Sequence, residues 1–439
     1  MLINYLSKRL LVALTALATT MASAAGQTIF HVITYESRLG GPFGISEGSP
    51  GVLYFNSGTN PSTALSITTQ GTQTVLAAFP SGYNLTSLLL SSADGRFYSS
   101  VEPGVGSANV FSVSSNPGSR QVYASQSIIP FMTQNLPDGT LLGTAAATTA
   151  NPWYVAKVDL KGIVTPIYQF PAGDRALIVT YASDGNYYGL AESGPGYLFR
   201  VTPSGTLTKL VNFPNGSLGP QSDTPLLQAS DGNLYGVTNY GGANSAGTIY
   251  KVTLSGQYTL LHTFPNNSTS FPATLIEGSD GNLYGATLGH IPSGGYSEIF
   301  RITKSGQYTL LFAMSNITAD GACQCSLVQG SDGNIYGTAL SGGPSNGGVI
   351  FSLELGLPKP APRAQNFRPA SGAVGTQVRI WGSNLLSASV EFNGVAATTV
   401  SNSGSNYVWA TVPAGATTGP ITITTPGGTV TTHASFTVE

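Results

Sequence analysis

The chain has 439 residues, of which 41% are hydrophobic and only 8% are charged, and its formal net charge is −2. This hydrophobic content supplies a large core and excludes a disordered chain. A net charge near zero provides no basic field for nucleic acid and no polybasic surface for a membrane. Glycine (55) and proline (27) make up nearly a fifth of the residues. Few Lys, Arg and Glu remain for the solvated faces of long helices, so the composition predicts an all-β protein of short strands and turns.

The first 24 residues have the pattern of a secretory signal peptide. Lys8 and Arg9 precede the apolar stretch 10–18, and Ala22-Ser23-Ala24 has the small-x-small pattern read by signal peptidase. The alternative is a membrane anchor, but the apolar stretch is well short of the ~20 residues that span a bilayer. We therefore expect cleavage after Ala24 and a secreted product, extracellular or periplasmic, with no membrane span left after cleavage.

A phrase of the form Ser-Asp-Gly-Asn-Leu-Tyr-Gly recurs through most of the chain at intervals of 44 to 52 residues. Seven units at one period are the signature of a repeat architecture. Clear copies begin at Ser183, Ser230, Ser279 and Ser331, and weaker copies begin at Ser49, Ala93 and Pro137.

The clearest unit contains four predicted strands. Asp231-Gly232 is a tight hairpin turn between strands at 225–229 and 233–238. Ser255-Gly256 joins strands at 248–253 and 258–264 in the same way. Four-stranded units at this period predict the blades of a β-propeller. A stacked solenoid is the alternative, and it would need atypical capping units at both ends.

The two ends of the repeat region are complementary. The seventh unit has predicted strands near 326–329, at 334–339 and at 348–353, and the pattern stops at Leu357 without a fourth strand. Residues 28–35 look like an unpaired fourth strand. Pairing them with the seventh unit would close a circle and remove an exposed strand edge. The sequence therefore predicts a seven-bladed β-propeller over residues 25–357, closed by the N-terminal strand.

These units resemble the GloVer-type tandem repeats of bacterial exported proteins. The similarity rests on the phrases SDGNLYG, GTIYKV and GQYTLLHTF with a glycine-rich loop between the first two, and it is closest over residues 183–353. The resemblance implies tandem repeats and export, and it implies no particular reaction.

A second region follows a stiff proline-rich linker at residues 358–362. Over residues 363–439 the sequence alternates strands with turns, and Asn393-Gly394 is a strong hairpin signal. This region resembles the IPT/TIG family, which implies an immunoglobulin-like β-sandwich acting as a spacer or accessory binding module. Its few cations argue against DNA contact. The positions that carry the resemblance are Pro369, Gly372, Gly375, Thr376, Val378, Ile380, Gly382, Asn384, Leu385, Val390, Phe392, Asn393, Gly394, Ala396, Val412, Pro413, Gly415 and Gly419.

Aspartate and tyrosine recur at fixed positions of the units. The aspartate precedes the turn glycine, where its carboxylate can bond turn amides. A ring of metal ligands is the alternative, but no calcium-loop spacing accompanies these aspartates. The tyrosine recurs at one strand position, which favours packing between blades over stacking on a ligand. We expect no metal and no cofactor, since phosphate-loop, dinucleotide and His-Glu-x-x-His motifs are missing from the sequence.

Antiparallel strand order places the tight Asp-Gly and Ser-Gly turns at one end of the blades and the long loops at the other. Variable loops on a rigid scaffold carry function, so the long-loop end is the candidate ligand face. Aromatic rings and carboxylates there would suit the faces and hydroxyls of sugars. The candidate ligand-binding residues are Glu102, Trp153, Glu192, Asp223, Tyr240, His290 and Tyr296, with Asp174, Arg175 and Asp320 on the same face.

The sequence assigns no catalytic residue. The G-x-S-x-G pattern at 44–48 lies among strands and lacks the following helix that exposes a nucleophilic serine. Of the four histidines, His290 is the one on a candidate loop, and a single histidine does not make a triad. Cys323 and Cys325 predict a small loop disulfide or two thiols, because metal ligation would need partners that the sequence does not place.

These features favour a monomeric, exported, non-catalytic binding or cell-surface protein whose loop face meets an extracellular glycan or protein. The alternative is a secreted propeller enzyme, either a polysaccharide lyase or a glycoside hydrolase. Such an enzyme needs an acid–base pair that converges on one pocket. Glu102, Glu192, Asp223 and His290 are the first candidates for that pair.

Overall fold

The computed structural model shows an all-β chain, because every regular element of its described residues is a strand. No helix in this part of the chain is long and apolar enough to cross a membrane. The signal-peptide prediction at 1–24 lies outside the described residues. The described residues are 29–35, 42–58, 61–85, 87, 89–92, 94, 96–102, 109–123, 129–146, 152–193, 196–213, 225–242, 245–265, 271–288, 297–314, 326–339, 342, 347–401 and 405–439.

Seven antiparallel sheets, numbered I to VII, form from the described residues between 29 and 354. In sheets I and III neighbouring strands follow one another in the chain, and in sheet II both β6 and β7 pair with β8. Sheet I contains β2 (Pro42–Ser49), β3 (Val52–Ser57), β4 (Thr63–Thr68) and β5 (Gln73–Ala78). Sheet II contains β6 (Asn84–Leu85), β7 (Leu90–Ser91), β8 (Phe97–Glu102), β9 (Asn109–Val113) and β10 (Gln121–Tyr123). Sheet III contains β11 (Ile129–Asn135), β12 (Leu141–Ala146), β13 (Trp153–Val158) and β14 (Val164–Gln169).

Sheets IV to VI repeat the four-stranded order, and sheet VII combines strands from both ends of the repeat region. Sheet IV contains β15 (Arg175–Tyr181), β16 (Tyr187–Glu192), β17 (Tyr197–Val201) and β18 (Leu207–Asn212). Sheet V contains β19 (Leu227–Gln228), β20 (Leu234–Thr238), β21 (Thr248–Val252) and β22 (Tyr258–Thr263). Sheet VI contains β23 (Phe271–Glu277), β24 (Leu283–Leu288), β25 (Ser297–Ile302) and β26 (Tyr308–Met314). Sheet VII contains β1 (Ile29–Tyr35), β27 (Leu327–Gln329), β28 (Ile335–Ala339) and β29 (Val349–Glu354).

The predicted pairing of the N-terminal strand is confirmed. β1 runs antiparallel to β29, with Ile29 opposite Glu354 and Tyr35 opposite Val349. The Phe30 ring is buried and stacks on Phe312 of sheet VI, with 4.2 Å between ring centroids. The strand that begins the repeat region therefore completes its last sheet.

The central strands of each sheet are buried, and a glycine in the second strand makes room for a ring. Gly236 pairs with Tyr250, and a Cβ at Gly236 would lie 2.4 Å from the Tyr250 hydroxyl. Gly285 has the same relation to Phe300. Any side chain at these positions would displace a buried ring, which explains the glycine that follows tyrosine in the repeated phrase.

Hydrophobic clusters lie between consecutive sheets. Successive clusters join sheets I and II, II and III, III and IV, IV and V, and then V and VI. A sixth cluster joins VI to VII, and a seventh joins VII back to I through Ile350 and Leu53. The sheets thus form a closed ring in which each packs face to face on its neighbours, which is the arrangement of a β-propeller.

Sheet II differs from the predicted four-strand pattern because its first strand is divided. The break lies at Ser87, between β6 and β7, both of which pair with β8. The Ser87 carbonyl accepts hydrogen bonds from Asn56 and Ser99, and its hydroxyl accepts one from the Ser100 amide. These buried side-chain partners replace the ladder bonds that a continuous strand would make.

Two further sheets, which we call the C-terminal module, form from residues 363–438 around one core. Asn393 and Gly394 both have positive φ, at 47° and 83°, in the predicted hairpin between the strands Ser389–Phe392 and Val395–Ala396. The first sheet contains β30 (Arg363–Arg368), β32 (Gln377–Ser383), β35 (Val400–Ser401) and β36 (Tyr407–Thr411). The second contains β31 (Ser371–Gly372), β33 (Ser389–Phe392), β34 (Val395–Ala396), β37 (Gly419–Thr425) and β38 (Gly428–Val438).

Candidate ligand-binding site

The predicted ligand residues that the structure describes lie at one end of the ring. Glu102 ends β8 and Glu192 ends β16, while Trp153 begins β13 and Tyr240 is the second residue after β20. All four lie where the second strand of a sheet leads to the third, as expected for the long-loop end. The remaining predictions fall outside the described residues: Asp223, His290, Tyr296, Asp320, Cys323 and Cys325.

Trp153, Arg175 and Glu192 come together between sheets III and IV, and we call them the Arg175 cluster. Arg175 and Glu192 are paired across β15 and β16, with 3.3 Å between Nη1 and Oε2. The Arg175 guanidinium carbon lies 5.4 Å from the centre of the Trp153 ring. Trp153 is only 8% exposed and stacks on Phe131, so its ring is held in place for a cation–π contact with Arg175.

The Arg175 guanidinium faces solvent, whereas the Glu192 carboxylate is partly buried. The exposed fraction is 45% for the Arg175 side chain and 23% for that of Glu192. A guanidinium presents several N–H donors in a fixed plane, and the carboxylate beside it presents acceptors. Together they can hydrogen-bond a hydroxyl-rich or amide-rich ligand from one position.

The residue before Arg175 is fixed by its own contacts. The Asp174 carboxylate accepts a 2.7 Å hydrogen bond from the Tyr197 hydroxyl, and the Asp174 amide donates to the Pro171 carbonyl. Lys209 Nζ lies 3.8 Å from the centre of the Tyr197 ring. Burial and the neighbouring carboxylate of Asp174 raise the pKa of Tyr197, so its hydroxyl remains a proton donor. Asp174 thus positions the backbone from which Arg175 extends.

Glu102 and Tyr240 lie on other sheets. Glu102 is opposite Asn84 in sheet II, and burial raises the pKa of its carboxyl. Tyr240 is 41% exposed in sheet V, where its carbonyl accepts a hydrogen bond from the Thr238 hydroxyl. These two residues thus belong to sheets II and V, whereas the Arg175 cluster lies between sheets III and IV.

The repeated aspartates at the opposite end have structural partners, as predicted. Asp231 Oδ1 accepts the Asn233 amide, and Oδ2 accepts a 2.8 Å bond from the Tyr235 hydroxyl. The Tyr235 ring is buried between sheets V and VI, so the predicted packing role of the repeated tyrosine is also confirmed. Equivalent aspartate–tyrosine bonds occur at Asp94–Tyr98, Asp184–Tyr188, Asp280–Tyr284 and Asp332–Tyr336.

Sequence reasoning missed a link between neighbouring sheets at this turn end. In the four clear copies of the repeat, the serine before Asp-Gly donates its amide N–H to a Gln or Glu in the first strand of the next sheet. In the sequence, this link is marked by a Gln or Glu two residues before the serine, as in LLQASDG, LIEGSDG and LVQGSDG. We call these bonds the serine links, and they are Ser183–Gln228, Ser230–Glu277, Ser279–Gln329 and Ser331–Glu47.

The last serine link also accounts for the G-x-S-x-G pattern at 44–48. Glu47, within this pattern, accepts hydrogen bonds from both the amide and the hydroxyl of Ser331 and thereby joins sheet I to sheet VII. The Ser46 hydroxyl donates to the Leu89 carbonyl. Both residues lie in β2, so their contacts are those of strand packing. Across the described residues, no group of three His, Cys, Asp or Glu side chains could hold a metal ion.

The fold and its repeated turns define a repeat-built β-propeller protein. The Gloeobacter/Verrucomicrobia repeat family matches residues 124–296 and residues 173–408, and the second match alone covers more than half of the chain. The chain belongs to this family. A comparison with curated protein sequences found no match.

Solved structures similar to this chain include several lyases. A streptogramin B lyase is 17% identical with a TM-score of 0.54, covering 75% of this chain and 98% of that chain. A catalytically inactive virginiamycin B lyase from Staphylococcus aureus with quinupristin is 16% identical with a TM-score of 0.55, covering 75% and 100%. An oligogalacturonate lyase in complex with manganese is 14% identical with a TM-score of 0.53, covering 77% and 96%. At these identities the similarity concerns the fold.

Proposed function

We propose that this protein is an exported, non-catalytic binding or cell-surface protein that presents its long-loop face to a glycan or to another protein. In this proposal a signal peptide (1–24) precedes a seven-bladed propeller (25–357), a linker (358–362) and an IPT/TIG immunoglobulin-like domain (363–439). The seven sheets of the described ring and the two-sheet module support these assignments. Membership of the repeat family is compatible with an extracellular location.

The observation that carries the proposal is the Arg175 cluster. It places an exposed cation beside a partly buried carboxylate and over a buried aromatic ring, at the long-loop end of the ring of sheets. Asp174 and Trp153 hold Arg175 in place before any ligand arrives, which lowers the entropy cost of binding. Glu192 is committed to Arg175 and Asp174 to Tyr197, so these two carboxylates serve binding geometry rather than proton transfer.

The test is a glycan array and a screen against extracellular protein extracts, using the secreted chain and three variants. Arg175→Ala removes the cation and Arg175→Lys keeps the charge without the planar fork. Lys161→Ala removes an exposed cation in the turn between β13 and β14, at the other end of the ring. We expect Arg175→Ala to lower the affinity for the bound ligand at least ~10-fold and Arg175→Lys to lower it less. Lys161→Ala should bind with wild-type affinity. Equal binding by all four proteins would contradict the site.

The second candidate is a secreted polysaccharide lyase or glycoside hydrolase, favoured by Glu102. Burial raises the pKa of its carboxyl, which is the property of a general acid. A panel of polysaccharides assayed for unsaturated products and for reducing ends would detect either activity. Turnover that Glu102→Gln abolishes would replace the binding proposal with this one, and the Arg175 variants serve as the control for substrate binding.

A further inference from the structure

The linker and the C-terminal module contact the turn end of the ring at several points. The Pro358 carbonyl accepts a 2.5 Å hydrogen bond from the Ser279 hydroxyl of sheet VI. On the far side, Asn406 of the module donates to Ser91 of sheet II over 3.3 Å. The Arg379 guanidinium, stacked on Trp381, lies against the Gly139 turn of sheet III. The module is therefore held across the turn end from several directions.

A cavity of about 500 Å³ lies between the module and the ring. Its walls are the first strands of sheets III, IV and V on one side and β30 on the other, with Gln134, Tyr181, Gln228, Arg363 and Gln365 among the lining residues. This volume is in the range of small-molecule sites and suits a mono- or disaccharide. Arg363 and Gln365 belong to the module, so the cavity is complete because the module is docked.

The charged side chain that lines this cavity is a cation. Arg363 is a cation, and no acidic side chain occurs among the described residues that line the cavity. Arg363 contacts the carboxylate of Glu277, which is already bound by Lys304 at 2.6 Å and by the Ser230 amide at 2.8 Å. Arg363 touches Glu277 only at 3.5 Å and is 54% exposed. Its guanidinium is therefore available to a second carboxylate.

The neutral groups around Arg363 are rich in donors. The side-chain oxygen of Gln134 accepts the Tyr181 amide, so the amino group of Gln134 is left to donate. Gln365 is exposed on β30 beside Arg363 and adds a second amide. The half-buried Tyr181 provides a ring surface in the same wall. Amide donors, one ring and one guanidinium match the hydroxyls, the apolar face and the carboxylate of a sugar acid.

We propose that this cavity is a second binding site, separate from the long-loop face, for a small sugar acid whose carboxylate pairs with Arg363. The ligand spans the ring and the module, so its binding stabilises the docked arrangement of the two. The site is independent of the Arg175 cluster, which lies at the opposite end of the sheets.

Isothermal titration calorimetry of the secreted full-length chain tests this proposal with galacturonate, its methyl ester and succinate as probes. We expect galacturonate to bind and the neutral ester to bind at least ~10-fold more weakly. Succinate has carboxylates without the sugar hydroxyls and should also bind more weakly. Galacturonate should raise the midpoint of thermal unfolding, and above its Kd the increase should grow with the logarithm of its concentration.

Matched variants locate the site. Arg363→Ala should lower the affinity for galacturonate at least ~10-fold, and Gln365→Ala should lower it by a smaller factor. Lys359→Ala removes an exposed cation outside the cavity and should leave the affinity unchanged. Arg175→Ala should leave galacturonate binding intact, which separates this site from the proposed function. No binding by wild type at millimolar concentration, or equal binding by Arg363→Ala, overturns the proposal. Equal affinity for succinate overturns the sugar-acid class.

Discussion

The aspartate of each repeated turn makes two kinds of hydrogen bond. One carboxylate oxygen of Asp231 accepts a turn amide, and the other accepts the hydroxyl of a tyrosine four residues later. Burial alone would raise the pKa of Asp231, but the bonds from Asn233 and Tyr235 outweigh burial and lower it. The charged carboxylate is therefore the form that stabilises the hairpin.

Replacing Asp231 by Ala should lower the free energy of unfolding by about 1–3 kcal/mol, because the hydroxyl of buried Tyr235 would lose its partner. Tyr235→Phe alone should cost less, since the carboxylate remains exposed to water. The measurement is urea unfolding of both single variants and the double variant. A double-variant cost equal to the sum of the single costs would show that the bond contributes nothing.

Of the two kinds of hydrogen bond made by Asp231, the sequence predicts the one to the turn amide. Turn chemistry predicts that Asp231 bonds the amide two residues on, because that contact is local. The bond to Tyr235 crosses from the turn to a side chain on the second strand, and it depends on how the hairpin twists. Trp153 and Glu192 were predicted from their places at strand ends. Their connection through Arg175 depends on how sheets III and IV pack, which no local pattern specifies.

At the scale of the strand, the acceptor of the serine link is a neutral glutamine in some sheets and a glutamate in others. Gln228 and Gln329 accept the serine amide as neutral groups, whereas Glu47 and Glu277 accept it as carboxylates. Burial is the largest influence on Glu47 and raises its pKa. For Glu277 burial also raises the pKa, but the hydrogen bonds from Lys304 and Ser230 outweigh it and lower the pKa.

The two carboxylates should therefore respond to pH in opposite directions. A lowered pKa means that Glu277 stabilises the fold above its unfolded pKa of about 4.3 and that this contribution disappears as pH falls through the folded pKa. A raised pKa means that Glu47 contributes most below about 4.3 and that the contribution is lost as pH rises through the folded pKa. Glutamine can replace both in the link, as Gln228 and Gln329 show.

We expect Glu277→Gln to cost about 1–2 kcal/mol at pH 7, because Lys304 loses its carboxylate, and to cost less as pH is lowered toward the folded pKa. Glu47→Gln should cost less than Glu277→Gln at pH 7, because glutamine keeps the bonds to Ser331 and loses only the acceptor for the Gly51 amide. Denaturant unfolding of both variants beside wild type at several pH values measures this. Parallel pH profiles for the two variants would contradict the assignment.

At the scale of the whole molecule, closure of the ring depends on contacts between residues 284 or more positions apart in the chain. β1 completes sheet VII, and Ser331 of that sheet binds Glu47 of sheet I. The sequence predicted the first of these contacts from one missing strand and one spare strand. It did not predict that the module would lie across the turn end, because the proline-rich composition of 358–362 says nothing about which surface receives it.

Ring closure should make the N-terminal strand a determinant of global stability. Phe30 is buried and stacks on Phe312 and Phe351, with centroid distances of 4.2 and 5.2 Å, so Phe30→Ala should cost about 3–5 kcal/mol. His31 is adjacent in the same strand, pairs with Glu354 at 3.4 Å and is partly exposed, so His31→Ala should cost less than about 1 kcal/mol and serves as the matched control. Calorimetry of both variants should show a lower unfolding temperature for Phe30→Ala that affects the whole ring in one transition. If Phe30→Ala unfolds only β1, or costs no more than His31→Ala, the N-terminal strand is an appendage and the remaining sheets hold the ring without it.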